Sequence, residues 1–209
     1  MSDILSAQQL TSVRGERTLF RDLNLQLHAG ELCQVQGPNG AGKSTLLRIC
    51  AGLLQPQAGE VRYEQRLLAE VRSEYHQNLL FIGHKAGVKP ELTAIENLEF
   101  FAAVQGQTFT QTPYALLAKV GLVGLEDIPA QQLSAGQQRR IALARLWCNQ
   151  AKLWILDEPF TSLDVDGIQL LHGQFEAHLE AGGSILLTSH QPLNTLRGNV
   201  SNLVLEYQH

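Results

Sequence analysis

The chain has 209 residues, a length that predicts one α/β domain, alone or with a small inserted subdomain. Apolar residues make up 44% and charged residues 17%, an ordinary globular balance that excludes global disorder. A net charge of −4 offers no basic face to nucleic acid, no apolar run approaches the ~18 residues of a membrane helix, and the start Met1-Ser2-Asp3-Ile4 carries no signal-peptide pattern, so the expectation is a cytosolic chain that meets a membrane only through a partner.

Leu23, Leu25 and Leu27 alternate with Asn24, Gln26 and His28, which predicts a half-exposed antiparallel strand with His28 as a solvated edge residue. Ala29-Gly30 turns the chain into a second strand, Glu31 to Gln36, followed by a glycine-dense loop from Gly37 to Gly42. From Lys43, the residues Leu46, Leu47, Ile49, Cys50, Leu53 and Leu54 follow a helical period, and Pro56 stops that helix. Val61 to Tyr63 and Leu79 to Ile82 read as strands. Thr93 to Val104 has helical spacing, with Thr93 as N-cap and Glu96 three positions on. Residues 105–132 are polar, with a helical stretch near Tyr114 to Val120; Ser134 opens a new segment, and Ile141 to Trp147 is again helical. A strand over 153–156, an acidic turn, a helix over 167–180, a strand from Ile185 to Thr188 and a last strand near 203–206 complete the order. This alternation predicts a mainly parallel sheet with crossover helices, and a helix-rich insertion over residues 84–150. Cys33, Cys50 and Cys148 form no CxxC pair and read as small buried residues in a reducing compartment.

Gly37-Pro38-Asn39-Gly40-Ala41-Gly42-Lys43-Ser44 fits G-x-x-x-x-G-K-[ST], with a strand before it and a helix after it. The glycines let successive backbone N–H groups converge on phosphate oxygens, and the helix beginning at Lys43 adds the positive end of its dipole. Lys43 supplies a point charge for the β- and γ-phosphates, Ser44 offers a hydroxyl to Mg²⁺, and Thr45 completes the nucleotide-binding segment. Gln34 and Gln36 share a face of the preceding strand, where a central parallel strand is ordinarily apolar; the sequence alone gives no reason for the pair.

Leu153-Trp154-Ile155-Leu156-Asp157-Glu158-Pro159 is an apolar strand that ends in two carboxylates, at the sheet edge where α/β folds bind ligands. Consecutive side chains point to opposite sides, so the two acids divide the work. Asp157 is placed to hold Mg²⁺ or its water, and Glu158 to accept a proton from an attacking water.

Leu133-Ser134-Ala135-Gly136-Gln137, Ser162-Leu163-Asp164 and His190 complete the pattern. With the phosphate loop and acidic strand, and in this order, they make the chain similar to the ABC-transporter ATPases. They resemble that family's signature motif (with Ala135 where glycine is commonest), its D-loop and its switch histidine. The likeness covers residues 4–206. It implies a P-loop NTPase of ABC type: one domain over 1–209, with a mixed or parallel sheet core, an antiparallel β subdomain and a helical insertion. It also implies a head-to-tail homodimer that clasps two ATP molecules, each between the phosphate loop of one subunit and Ser134, Gly136 and Gln137 of the other. Lys43, Glu158 and His190 would be the catalytic residues, with Ser44 and Asp157 on the metal and His190 orienting Glu158 and its water.

Two positions depart from the family pattern. His84 stands where a glutamine commonly contacts Mg²⁺ and the membrane subunit, which implies coupling to the partner with a weaker metal contact. The aromatic residue that stacks on adenine in many relatives corresponds to Arg14, so Arg14 or Phe20 is the candidate platform and the purine is weakly read.

Phe81-Ile82-Gly83-His84, Gly87 through Leu98, Trp154 through Phe160 and Leu187 through Leu193 further resemble the ATP-binding subunits of the bacterial haem-handling system for cytochrome c maturation. That resemblance implies two copies on the cytoplasmic face of the inner membrane, docked through residues 84–104 on CcmB, with CcmC and CcmD. Their ATP cycle would drive haem export or release of the haem-loaded chaperone CcmE. None of the seven histidines is read as an iron ligand. Two alternatives stand beside this reading: an ABC transporter ATPase for another substrate, and a soluble ABC-type assembly ATPase.

Overall fold

The computed structural model describes residues 3–106, 109–191, 193, 196 and 198–207. Met1, Ser2, Pro192 and His209, which figure in the sequence reading, lie outside the described residues. Two compact units divide the chain: Met1–Phe81 with Ala151–Glu158 and Phe175–His209, and Ile82–Gln150 with Pro159–Gln174.

In the first unit, β1 (Asp3–Arg14) and β2 (Arg17–His28) form an antiparallel pair that turns at Gly15, whose φ of +63° favours glycine. Leu25 and Leu27 are buried while Asn24 and Gln26 are exposed, as the alternation predicts. His28 corrects its reading as a solvated edge residue. It is half-buried, because its Nδ1 lies 2.7 Å from Asp3 Oδ1 across the hairpin.

β3 (Glu31–Gln36) leads into α1 (Lys43–Cys50). The helix ends earlier than the apolar period predicts. Gly52 takes φ +70°, its N–H bonds to the Ile49 carbonyl, and Leu53 and Leu54 are left largely exposed, four residues before Pro56 begins to matter. β4 (Ala58–Tyr63) pairs with β1, and β5 (Arg66–Leu67) with β4, which completes a four-stranded antiparallel sheet in the order β2-β1-β4-β5. α2 (Arg72–Gln77), which the sequence reading missed, follows, and then β6 (Leu79–Ile82).

The second sheet has the order β6-β7-β8-β3-β9, with β7 (Leu153–Asp157), β8 (Ser184–Thr188) and β9 (Asn199–Val204). The pairs β7–β8, β8–β3 and β3–β9 are parallel. Every residue of β7 and β8 is buried, which is why both read as unbroken apolar runs. Between them α6 (Val165–Glu180) is the crossover element. Its His178 ring stacks on Trp154, with centroids 3.7 Å apart and planes 7° from parallel.

In the second unit, α3 (Ala94–Gln105), α4 (Pro113–Lys119) and α5 (Ala135–Ala144) pack around Leu98, Leu116, Leu117, Leu122 and Ile141. Thr93 and Glu96 form the expected capping box of α3. A second box caps α5, where Ser134 Oγ accepts from Gln137 N–H and Gln137 Oε1 accepts from Ser134 N–H. Helical geometry after Ala144 tightens to a 3₁₀ turn, Arg145–Trp147.

Candidate functional site

The parallel register gathers the first unit's candidate site residues. Val35, Thr188 and Asp157 stand on one rung across β3, β8 and β7. All three strands run the same way. The phosphate loop, His190 and Glu158 therefore leave the sheet at the same end, within two residues of that rung or just beyond it.

Gly37, Gly40 and Gly42 all have positive φ (140°, 82° and 100°). A Cβ on Gly37 would collide with the Leu205 carbonyl oxygen, so the loop's entry is closed to any larger residue. Lys43 Nζ donates to the carbonyls of Gly37 (2.7 Å) and Pro38 (3.2 Å), folding the side chain back over its own loop. Pro38, Asn39, Gly40 and Ser44 are exposed, Thr45 is half-buried and Ala41 is buried.

Asp157 is buried and accepts a 2.7 Å hydrogen bond from Thr188 Oγ1, whose oxygen in turn accepts from the Glu158 backbone N–H at 2.9 Å. A single hydroxyl thus ties both acids to β8. Glu158 takes φ +51°, an uncommon backbone for a non-glycine residue, so the chain leaves extended geometry directly after β7. His190 Nε2 lies 3.4 Å from Glu158 Oε1; the imidazole is mostly exposed (65%) and the carboxylate mostly covered (18%). Together these provide a backbone cradle for phosphate, a lysine cation, a hydroxyl and carboxylate pair of hard oxygen donors, and a carboxylate–imidazole pair able to orient water. Among the described residues no group of three or more His, Cys, Asp or Glu side chains could hold a metal. Ser44 and Asp157, the metal candidates of the sequence, carry the hard oxygen donors that a cation such as Mg²⁺ takes beside phosphate and water.

The reason for the unexplained glutamines is now visible. Gln34 is buried, and its Nε2 donates to the carbonyls of Ser189 (3.0 Å) and Gln191 (3.3 Å), the residues on either side of His190. Gln36 Nε2 donates to Gln34 Oε1 and to Asn202 Oδ1.

Phe20 is corrected as a base platform: it is buried, and its ring packs directly beneath Gly42. Arg14 is exposed at the end of β1. An aromatic that does approach the phosphate loop is Tyr207, whose hydroxyl donates to the Asn39 carbonyl at 2.7 Å while the Arg17 guanidinium lies 4.8 Å from its ring centroid.

In the second unit, Ser134 and Ala135 are exposed at the start of α5, and Gly136 lies where a Cβ would come within 3.4 Å of Ser162 Cβ. Arg140 Nη2 donates to Asp164 Oδ2 at 3.0 Å. His84 is exposed, and the loop that carries it is held by two buried arginines that the sequence reading missed. Arg139 donates to the Gly83 carbonyl at 2.6 Å; Arg145 donates to the Ala86 and Gly87 carbonyls at 3.2 Å and covers the Phe101 ring at 4.4 Å. Burial pulls the Arg145 guanidinium down to about 10. All three cysteines are free and buried, and burial raises the thiols to about 11 for Cys33 and Cys148 and about 12 for Cys50, which disfavours the thiolate.

Residues 20–161 match the ABC transporter family. The chain is 55% identical over 188 residues to the cytochrome c biogenesis ATP-binding export protein CcmA of Haemophilus influenzae, covering 90% of this chain and 89% of that protein. It is 52% identical over 202 residues to the protein of the same name from Escherichia coli K12, covering 97% and 96%. Among solved structures, the fold resembles a dimeric ATP-binding cassette in a post-hydrolysis state bound to ADP and Pi, with a TM-score of 0.82 at 24% identity over 98% of this chain and 97% of that one. Among the described residues no helix is long and apolar enough to cross a membrane.

Proposed function

The chain belongs to the ABC transporter family of ATPases, and on that premise we propose that it is the ATP-hydrolysing subunit of a bacterial complex for cytochrome c maturation. The observation that carries the hydrolytic part is the common ledge of β3, β8 and β7, from which the phosphate loop, Glu158 and His190 all emerge. The cytochrome c assignment is supported by the identity to the two CcmA proteins over nearly the whole chain.

In this reading the N–H groups of Asn39 to Ser44 and the α1 dipole bind the ATP phosphates, and Lys43 leaves its two loop carbonyls to meet the β- and γ-oxygens. Ser44 and Asp157 would hold Mg²⁺, which would supply charge neutralisation at the phosphates. Glu158 accepts the proton of the attacking water, and His190 holds the carboxylate and water in line. Ser134, Gly136 and Gln137 act on the nucleotide of a second copy: the exposed start of α5 presents backbone N–H groups and a positive dipole end. His84 and the 84–104 surface receive integral membrane partners of the CcmB, CcmC and CcmD type at the inner face of the cell membrane. The stroke is coupled to haem transport or to release of haem-loaded CcmE.

The test is recovery of a tagged Glu158→Gln chain from membranes with ATP present. The expected product is a closed dimer retaining ATP and a haem-handling integral membrane protein. Wild-type turnover removes Glu158 from the role of base. Recovery with cytosolic scaffold proteins in place of a membrane partner replaces transport by soluble assembly.

A further inference from the structure

We infer that Gln34 is a positioning residue for His190, and that the Gln34–Gln36–Asn202 chain exists to hold the turn that carries this histidine. The inference rests on the proposed role of His190. The His190 side chain is mostly exposed and meets Glu158 at 3.4 Å, so its aim depends on the backbone that carries it. That backbone is a turn in which Ser189 Oγ accepts from the Gln191 N–H at 2.8 Å. The two carbonyls that flank His190 both accept from one amide nitrogen, Gln34 Nε2. The Ser189 carbonyl lies in the peptide plane that enters His190 and the Gln191 N–H in the plane that leaves it, so the Gln34 bond and the Ser189 Oγ bond together restrain the backbone on both sides of the histidine.

The direction of that amide is itself determined. Two carbonyl oxygens face Gln34 Nε2, and only a donor satisfies them. On the other side Gln36 Nε2 donates to Gln34 Oε1 at 3.2 Å and to Asn202 Oδ1 at 3.0 Å, using both of its protons. The relay therefore runs from β9 through β3 to the turn after β8. It also ends one residue before Gly37, so the phosphate loop and the histidine turn are registered from one strand. A buried polar network in a central strand is costly unless every member is satisfied. Gln34, its buried member, is bonded at both ends of its amide, and the donor end terminates on the carbonyls on either side of His190.

The experiment is a double-mutant cycle on ATP hydrolysis by the full chain, with Gln34→Met, His190→Ala and the double variant. Gln34→Met is expected to lower kcat about tenfold through misplacement of His190, while the KM for ATP stays within about twofold. In the His190→Ala background Gln34→Met should cost nothing more, because the group it positions is gone. A purely structural role gives instead the same fold loss in both backgrounds, which overturns the inference. An indifferent Gln34→Met beside a slow His190→Ala overturns it alone. A His190→Ala chain with wild-type kcat overturns the reading of His190 and the inference together. Should Gln34→Met not fold, the half-buried Gln36 takes its place as Gln36→Met in the same cycle, and equal losses in both backgrounds again overturn the inference.

Discussion

Replacing Thr188 with valine removes one oxygen and keeps the shape, at a residue with no exposed surface. That oxygen serves two partners: it donates to the buried Asp157 carboxylate at 2.7 Å and accepts from the Glu158 N–H at 2.9 Å. A hydrogen bond to a charged group contributes about 1.5–3 kcal/mol, and a backbone donor left unsatisfied costs about 1–3 kcal/mol. The expected loss is about 3 kcal/mol, because other interactions of the two acids absorb part of the sum. That is a large share of the 5–15 kcal/mol typical of a domain. In urea the unfolding midpoint should fall by roughly 1–2 M. ATP turnover of the folded variant should fall about tenfold to a hundredfold, since Glu158 is held in a left-handed backbone by that same bond. Thr188→Ser, which retains the oxygen, should recover most of both losses. A Thr188→Val chain that melts and turns over like wild type would falsify the bridging role.

Acid should weaken the fold through His178. Its burial against Trp154 holds the imidazole at about 4, against 6.5 for the free side chain, so the unfolded chain takes up a proton that the folded chain refuses. Stability is then full above pH 6.5 and declines as pH falls toward 4, by up to about 3 kcal/mol. Urea midpoints at pH 7, 5.5 and 4.5 should show this slope in wild type and a flatter one in His178→Phe; equal slopes count against it. Arg145→Met should free the Ala86 and Gly87 carbonyls and uncover Phe101. The expected result is faster amide hydrogen exchange over residues 83–88 and a loss of about 2 kcal/mol, and unchanged exchange there would remove Arg145 from its anchoring role.

What was legible in the sequence was what is encoded locally. The phosphate loop, the Thr93–Glu96 capping box and the apolar runs of β7 and β8 depend on neighbours within a few residues, so spacing alone reveals them. The acids at Asp157 and Glu158 were readable because a strand end has a known place in an α/β sheet. The hidden features depend on partners that only folding brings near. Gln34 looked misplaced in a central strand because the carbonyls it serves lie 155 and 157 residues away. Nothing in the local pattern marks Arg139 and Arg145, because the carbonyls they serve lie 56 to 59 residues upstream. Phe20 was misjudged because its partner, the underside of Gly42, is not visible from the hairpin's own pattern. The early end of α1 has the opposite cause: Pro56 is the louder stop signal, but Gly52 acts first.

The rung shared by Val35, Thr188 and Asp157 makes turnover a reporter of strand alignment. A slip of β8 by a single position would turn Thr188 to the opposite face, uncouple both acids and carry the histidine turn away from Gln34. In the proposed mechanism such a chain loses turnover even where its helices form. Sheet alignment and ATP turnover are therefore two readings of one register.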